Sequence, residues 1–100
     1  MYVVVRKDLQ PIVQSIQAGH AAIQFQHDEP QIAKEWHDKS KHLVYLSAKN
    51  ENHLMDLIFK SQIKNIKYSV FKEPDINNEI TAVAFEPKAY RMLANLPLAN

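Results

Sequence analysis

Two hydrophobic periods run along this chain of 100 residues. Tyr2-Val3-Val4-Val5 is an uninterrupted, β-branched apolar run, the pattern of a strand buried on both faces. From Pro11 the period becomes helical and continues to about His27. Pro11 suits a first helical turn, because its missing N–H would have no intrahelical partner there. Ile12, Ile16, His20 and Ile23 follow 4-4-3 spacing on one face, and Ala18, Ala21, Ala22 and Phe25 fill the neighbouring sector. With both flanks apolar, the pattern predicts a well-buried helix. Asp28-Glu29-Pro30 is a turn that places acid at the start of a shorter helix, about Gln31 to Lys39, which suits the helix dipole. Ile32 and Trp36 lie one turn apart on it, and Trp36 reads as a core anchor.

The second half repeats the alternation of strand and helix. His42–Ala48 contains Leu43-Val44-Tyr45-Leu46, a second buried strand. Asn50 is a fitting N-cap for a helix over about Glu51 to Gln62, with Leu54, Leu57, Ile58 and Ser61 on one face. Ile66–Phe71 alternates and predicts a half-buried strand. The loop Glu73–Glu79 carries Asn77 and Asn78, which tolerate left-handed backbone where glycine is absent. Ile80–Phe85 is the last strand; Pro87 breaks it, and Lys88 to Asn95 predicts a short final helix. The order is β-α-α-β-α-β-β-α. A helical connection makes the first two strands a parallel crossover, and a loop makes the last two a hairpin. The expected fold is α/β, a small mixed four-stranded sheet covered by helices, in a single domain over residues 1–100.

Composition narrows the chemistry. With no cysteine, disulfides and thiolate metal sites are excluded, which fits a reducing cytoplasm. The N-terminal apolar run lacks a preceding basic region and is too short for a signal sequence or a membrane span, so a soluble, cytoplasmic protein is expected. The net charge of +1 argues against tight nonspecific nucleic-acid binding. Its distribution is uneven. Lys60, Lys64, Lys67 and Lys72 lie in a segment without acid, and Glu73, Asp75, Glu79 and Glu86 in a segment without base. This reads either as a solvated face beside an acidic loop or as a phosphate-facing patch near an acidic catalytic loop.

One glycine serves the whole chain, which excludes Gly-rich phosphate loops, dinucleotide fingerprints and the nucleophile elbow. The five histidines, at 20, 27, 37, 42 and 53, show no convincing ligand spacing, so neither a metal nor another cofactor is expected. That single glycine, Gly19, sits inside the first helix, where it costs roughly 1 kcal/mol against alanine. It predicts close approach of another backbone or of a ligand beside His20. A histidine can act as general base near neutral pH, and Asp75 or Glu73 could orient it or activate water. Equally, a lone histidine on a helix can be a satisfied structural residue, and loop acids can be turn chemistry. Gln17, one turn before His20, can hold a ligand amide or fill a polar gap.

Two ordered segments carry a family resemblance. Val5-Arg6-Lys7-Asp8-Leu9 followed by Ile16-Gln17-Ala18-Gly19-His20-Ala21-Ala22 resembles the N-terminal signature of the archaeal/eukaryotic-type peptidyl-tRNA hydrolases: V-R-x-D-L, a short spacer containing Gly and Lys, then A-Q-x-x-H-A-A. Ile80–Pro87 looks like the family's final strand, V-T-V-L-A-I-G-P. The resemblance implies hydrolysis of the ester joining a peptidyl or aminoacyl group to tRNA, with tRNA or a tRNA-like molecule as partner and a possible homodimer. It implies His20 and Asp75 as catalytic residues, with Glu73 the second match to the family aspartate, and Gln17, Gly19, Glu73 and Thr81 around the substrate, where Lys7 or Arg6 at the strand end could stand in for a family cation. The family's lysine does not carry over: the spacer is about two residues shorter, and Val13 stands in its place. The family loop D-A-G-R-T-Q-I-A-P-G-T is also shortened, and its basic and glycine residues are missing. These departures keep open a second reading, a non-catalytic binding or regulatory module on the same fold.

Overall fold

The computed structural model describes residues 1–99. The elements run β1 (Tyr2–Arg6), α1 (Pro11–Asp28), α2 (Pro30–Asp38), β2 (Val44–Ala48), α3 (Glu51–Ile63), β3 (Tyr68–Glu73), β4 (Glu79–Phe85) and α4 (Tyr90–Leu93). The fold is α/β, in the order the sequence pattern predicts. Short 3-10 turns at Pro74–Ile76 and Pro87–Ala89 bracket β4.

The sheet order is β2-β1-β4-β3. β1 pairs parallel with β2 and antiparallel with β4, and β3 pairs antiparallel with β4. This mixed pairing explains the uninterrupted apolar run of β1: it is an inner strand with helices on both faces. Val4, Leu46, Val83 and Phe85 turn to one face, where Leu54 and Leu57 of α3 and Leu93 of α4 cover them. Val3, Val5, Ala82 and Ala84 turn to the other, under Ala18, Ala21 and Phe25 of α1, with Trp36 of α2 packed alongside.

Local chemistry sets the boundaries. Asn50 caps α3, its side-chain oxygen accepting the His53 N–H. At the far end Asn65 takes φ 56°, its N–H reaches Gln62 O, and the Ile66 N–H reaches Ser61 O. That is a Schellman closure with asparagine in the place glycine usually takes. It also holds Ile66 in the core outside the ladder, so β3 begins at Tyr68, two residues later than the alternation predicts. Asn77 and Asn78 adopt φ 52° and 58°, the left-handed turn expected of them.

The buried face of α1 differs from the expectation. Gln14, Gln17, Ala18, Ala21 and Phe25 face the sheet, while Ile12, Ile16 and Ile23 are 67%, 52% and 71% exposed. The alanine–phenylalanine sector is the core face, and the isoleucines point outward. Their spacing is helical, as read, but periodicity fixes only which residues share a face, and two apolar sectors compete for the one sheet. The alanine sector lets α1 lie close over Ala82 and Ala84 of β4, which the bulkier isoleucines would prevent.

Candidate active site

At one end of the sheet, the C-terminal end of β3 meets the flank of α1. Gln17 is 2% exposed there. Its Nε2 donates to Glu73 Oε1 at 2.9 Å, and its Oε1 accepts the Thr81 hydroxyl at 2.6 Å. A buried amide must satisfy both ends, and this one does so between two strands. One turn later, His20 is exposed and stacks on Phe71, with ring centroids 4.3 Å apart and planes inclined by 7°. The two contacts form successive rungs. Gln17 and His20 are neighbours on the helix surface, and Phe71 and Glu73 share one face of β3.

A bulge makes the arrangement possible. Phe71 pairs with Ala82, but Lys72 pairs with Ile80, which leaves Thr81 outside the ladder. Simple alternation would turn Thr81 away from α1, because its neighbour Ala82 already faces that helix. The bulge puts both on the α1 side and sends Ile80 to the α3 side. Bulges commonly re-aim a side chain in this way, and here the result is the Thr81–Gln17 bond.

The candidate residues separate into distinct places. Gln17, His20, Glu73 and Thr81 come together at this end of the sheet. Asp75 is exposed on the 3-10 turn, and its own N–H turns toward Glu73 Oε2 at 3.5 Å. Among the described residues no hydrogen bond joins His20 to Asp75 or to Glu73. Gly19 lies on the outer face and opposite flank of α1. It lines an apolar cavity of about 210 Å³ with Val3, Ala18, Leu43 and Tyr45. A Cβ placed on it would meet nothing within 4 Å, so no contact among the described residues accounts for the glycine. Lys7 extends to the α3 side of the sheet, into a cavity with Lys49, His53 and Lys60. Val13, in the place of the family lysine, stands one turn before Gln17 on the same flank and is half-buried.

Arg6 supplies no free cation either. Its guanidinium is buried, gripping Asp8 through Nε and Nη2 at 3.0 and 2.9 Å and Glu79 through Nη1 at 2.7 Å. The bidentate pairing holds Arg6 above its ordinary pKa and the Asp8 carboxyl below its own. The site is therefore acidic on balance, with Glu73 and Asp75 outside any ion pair among the described residues. The sequence reading missed Phe71, although the alternation along β3 puts it on the same face as Glu73.

These features define an α/β protein with an exposed histidine and an anchored carboxylate on neighbouring rungs where its first helix meets the end of a mixed sheet. The model of the family "Peptidyl-tRNA hydrolase PTH2" matches residues 1–96, and the chain belongs to that family. No curated protein matches the chain. No helix among the described residues is long and apolar enough to cross a membrane.

Proposed function

We propose that the chain is a peptidyl-tRNA hydrolase that cleaves the ester between a peptidyl or aminoacyl group and the 3′ end of tRNA. The observation that carries this reading is the pairing of rungs at the end of β3. An exposed imidazole is fixed in orientation by its stack on Phe71, and a carboxylate two residues on is fixed by the Gln17 amide. Both groups are held before any substrate arrives, which is what positioning catalysis requires.

His20 takes a proton from water as the water attacks the ester carbonyl, then returns it to the ribose oxygen that leaves. Glu73, held through Oε1 by the Gln17 amide and through Oε2 by the Asp75 N–H, steadies through its negative charge the imidazolium formed in that step. Asp75 stands exposed on the adjoining 3-10 turn, and Thr81 acts through Gln17. Retained Gln17 and His20 favour this reading over a non-catalytic module, which the missing lysine would favour. Hydrolysis of purified peptidyl-tRNA decides between them. Wild type should release peptide, and His20→Ala should be slower by about 10²–10⁴-fold. Equal rates for the two at the buffer background would establish the binding module instead.

A cytoplasmic location suits a chain without cysteine. A homodimer would find its contact on the outer face of α1, where Ile12, Ile16 and Ile23 flank Gly19, the one point at which a second helix could approach closely.

A further inference from the structure

We propose a second site, a pocket for a backbone phosphate of tRNA on the opposite side of the sheet, formed by Lys7, Lys49, His53 and Lys60. These residues line a cavity of about 360 Å³, with Ser47 and Asn95 among its polar neighbours and no acid in its lining. Three separate segments bring the cations together: Lys7 follows β1, Lys49 follows β2, and His53 and Lys60 lie two turns apart on α3. The framework is rigid. The Lys7 N–H donates to Ala48 O at 2.9 Å, and the Lys49 N–H donates to His53 Nδ1 at 3.0 Å. Because Nδ1 accepts, the neutral ring carries its proton on Nε2 and offers a further donor. Three ammonium groups and an imidazole N–H around one cavity suit a phosphate, which presents several strong acceptors.

The pocket deepens the hydrolase reading and rests on it for the identity of the phosphate. The ends of β1, β2 and β3 and the start of β4 share one edge of the sheet. Along that edge Glu73 on β3 and Ala48 on β2 are three strand spacings apart, about 14 Å. Acid outside any ion pair among the described residues collects at the β3 end, in Glu73 and Asp75, and cation outside any such pair at the β2 end. A chain with its ester beside His20 would lay a backbone phosphate, a few nucleotides back, at the basic pocket. The cation absent beside His20 is thus replaced by several at a distance, which serve binding rather than chemistry. Lys60 comes from the acid-free lysine segment evident in the sequence.

The test uses deacylated tRNA, so it needs no turnover. Lys49→Ala/Lys60→Ala changes two exposed side chains, and its fold is checked by circular dichroism against wild type. Binding is read by fluorescence anisotropy across a salt series. The double variant should bind more weakly, with the log–log salt slope reduced by about 0.7–0.9 for each phosphate that the protein no longer neutralises. With peptidyl-tRNA as substrate, KM should rise while kcat holds. Lys34→Ala/Lys39→Ala on α2, whose lysines pair with Asp38 and Glu35, should leave both measures unchanged. Equal tRNA affinity and slope for wild type and the pocket variant would overturn the proposal. So would a pocket that takes up AMP or inorganic phosphate while its variant binds tRNA normally. A wild type without hydrolase activity whose tRNA binding still depends on Lys49 and Lys60 would remove the enzyme reading and keep the pocket.

Discussion

The two long helices cover the two faces of one sheet, yet they are built on different terms. α3 buries Leu54, Leu57 and Ser61 and begins at a side-chain cap on Asn50. α1 begins without a side-chain cap and buries two glutamines. The Gln14 amide donates to Leu9 O at 2.6 Å and fastens the start of the helix to the loop after β1. Gln17 ties Glu73 to Thr81. Both helices also carry apolar residues outward, Met55, Phe59 and Ile63 on α3 and the isoleucines on α1, so exposed hydrophobes do not distinguish them. The buried amides of α1 do. Each has a specific partner, and one set of partners is the candidate site.

Substitutions on the two helices should therefore fail differently. Leu54→Ala on α3 should destabilise by about 2–5 kcal/mol, read by urea denaturation, while the folded fraction keeps its specific activity. Gln17→Leu on α1 should cost about 1–3 kcal/mol, because the buried Thr81 hydroxyl keeps only its long 3.4 Å contact to Phe71 O, and should lower activity well beyond its effect on folding. A Gln17→Leu variant that is destabilised yet fully active per folded molecule would erase the distinction. Gly19→Ala should stabilise by roughly 1 kcal/mol through helix propensity, since the added methyl meets nothing. If a second copy crosses at Gly19, the same change weakens self-association in sedimentation; unchanged association removes that crossing from the account.

The smallest effect is expected from pH. Asp28 is held below its ordinary pKa by the Ser69 hydroxyl and then by Gln24, and Asp8 by Arg6. For a depressed carboxyl, the stabilisation is complete above the unfolded value near 3.8 and is lost as pH falls through the lower, folded value. Acid denaturation should thus steepen below about pH 4. Asp28→Asn should flatten part of that fall at the C-terminal end of α1, where Asp28 joins Ser69 of β3 at 2.7 Å. An unchanged acid limb would show that this bond adds nothing.

Much of this was legible in the chain. Pro11, Asn50 and the Asn77-Asn78 pair mark their boundaries because each acts through local backbone chemistry. Of the candidate residues, Gln17, His20, Glu73 and Thr81 converge, while Asp75 stands on the adjoining 3-10 turn and Lys7 and Gly19 lie elsewhere. What stayed hidden depends on tertiary packing. Periodicity cannot choose between two apolar sectors on α1, so the exposed isoleucines were unforeseen. A bulge breaks the alternation that would otherwise misplace Thr81. The fate of the cations was equally illegible, because Arg6 meets Glu79 across 73 positions of sequence, and Lys7, Lys49 and Lys60 meet only once the crossover is made.

The central claim is that His20 and Glu73 act as one unit where α1 meets β3. A double-mutant cycle on peptidyl-tRNA hydrolysis tests it directly, with His20→Ala, Glu73→Ala and the two combined. If the groups cooperate, the combined variant is scarcely slower than the slower single one. Rate losses that multiply would place the two residues in independent roles and contradict the account.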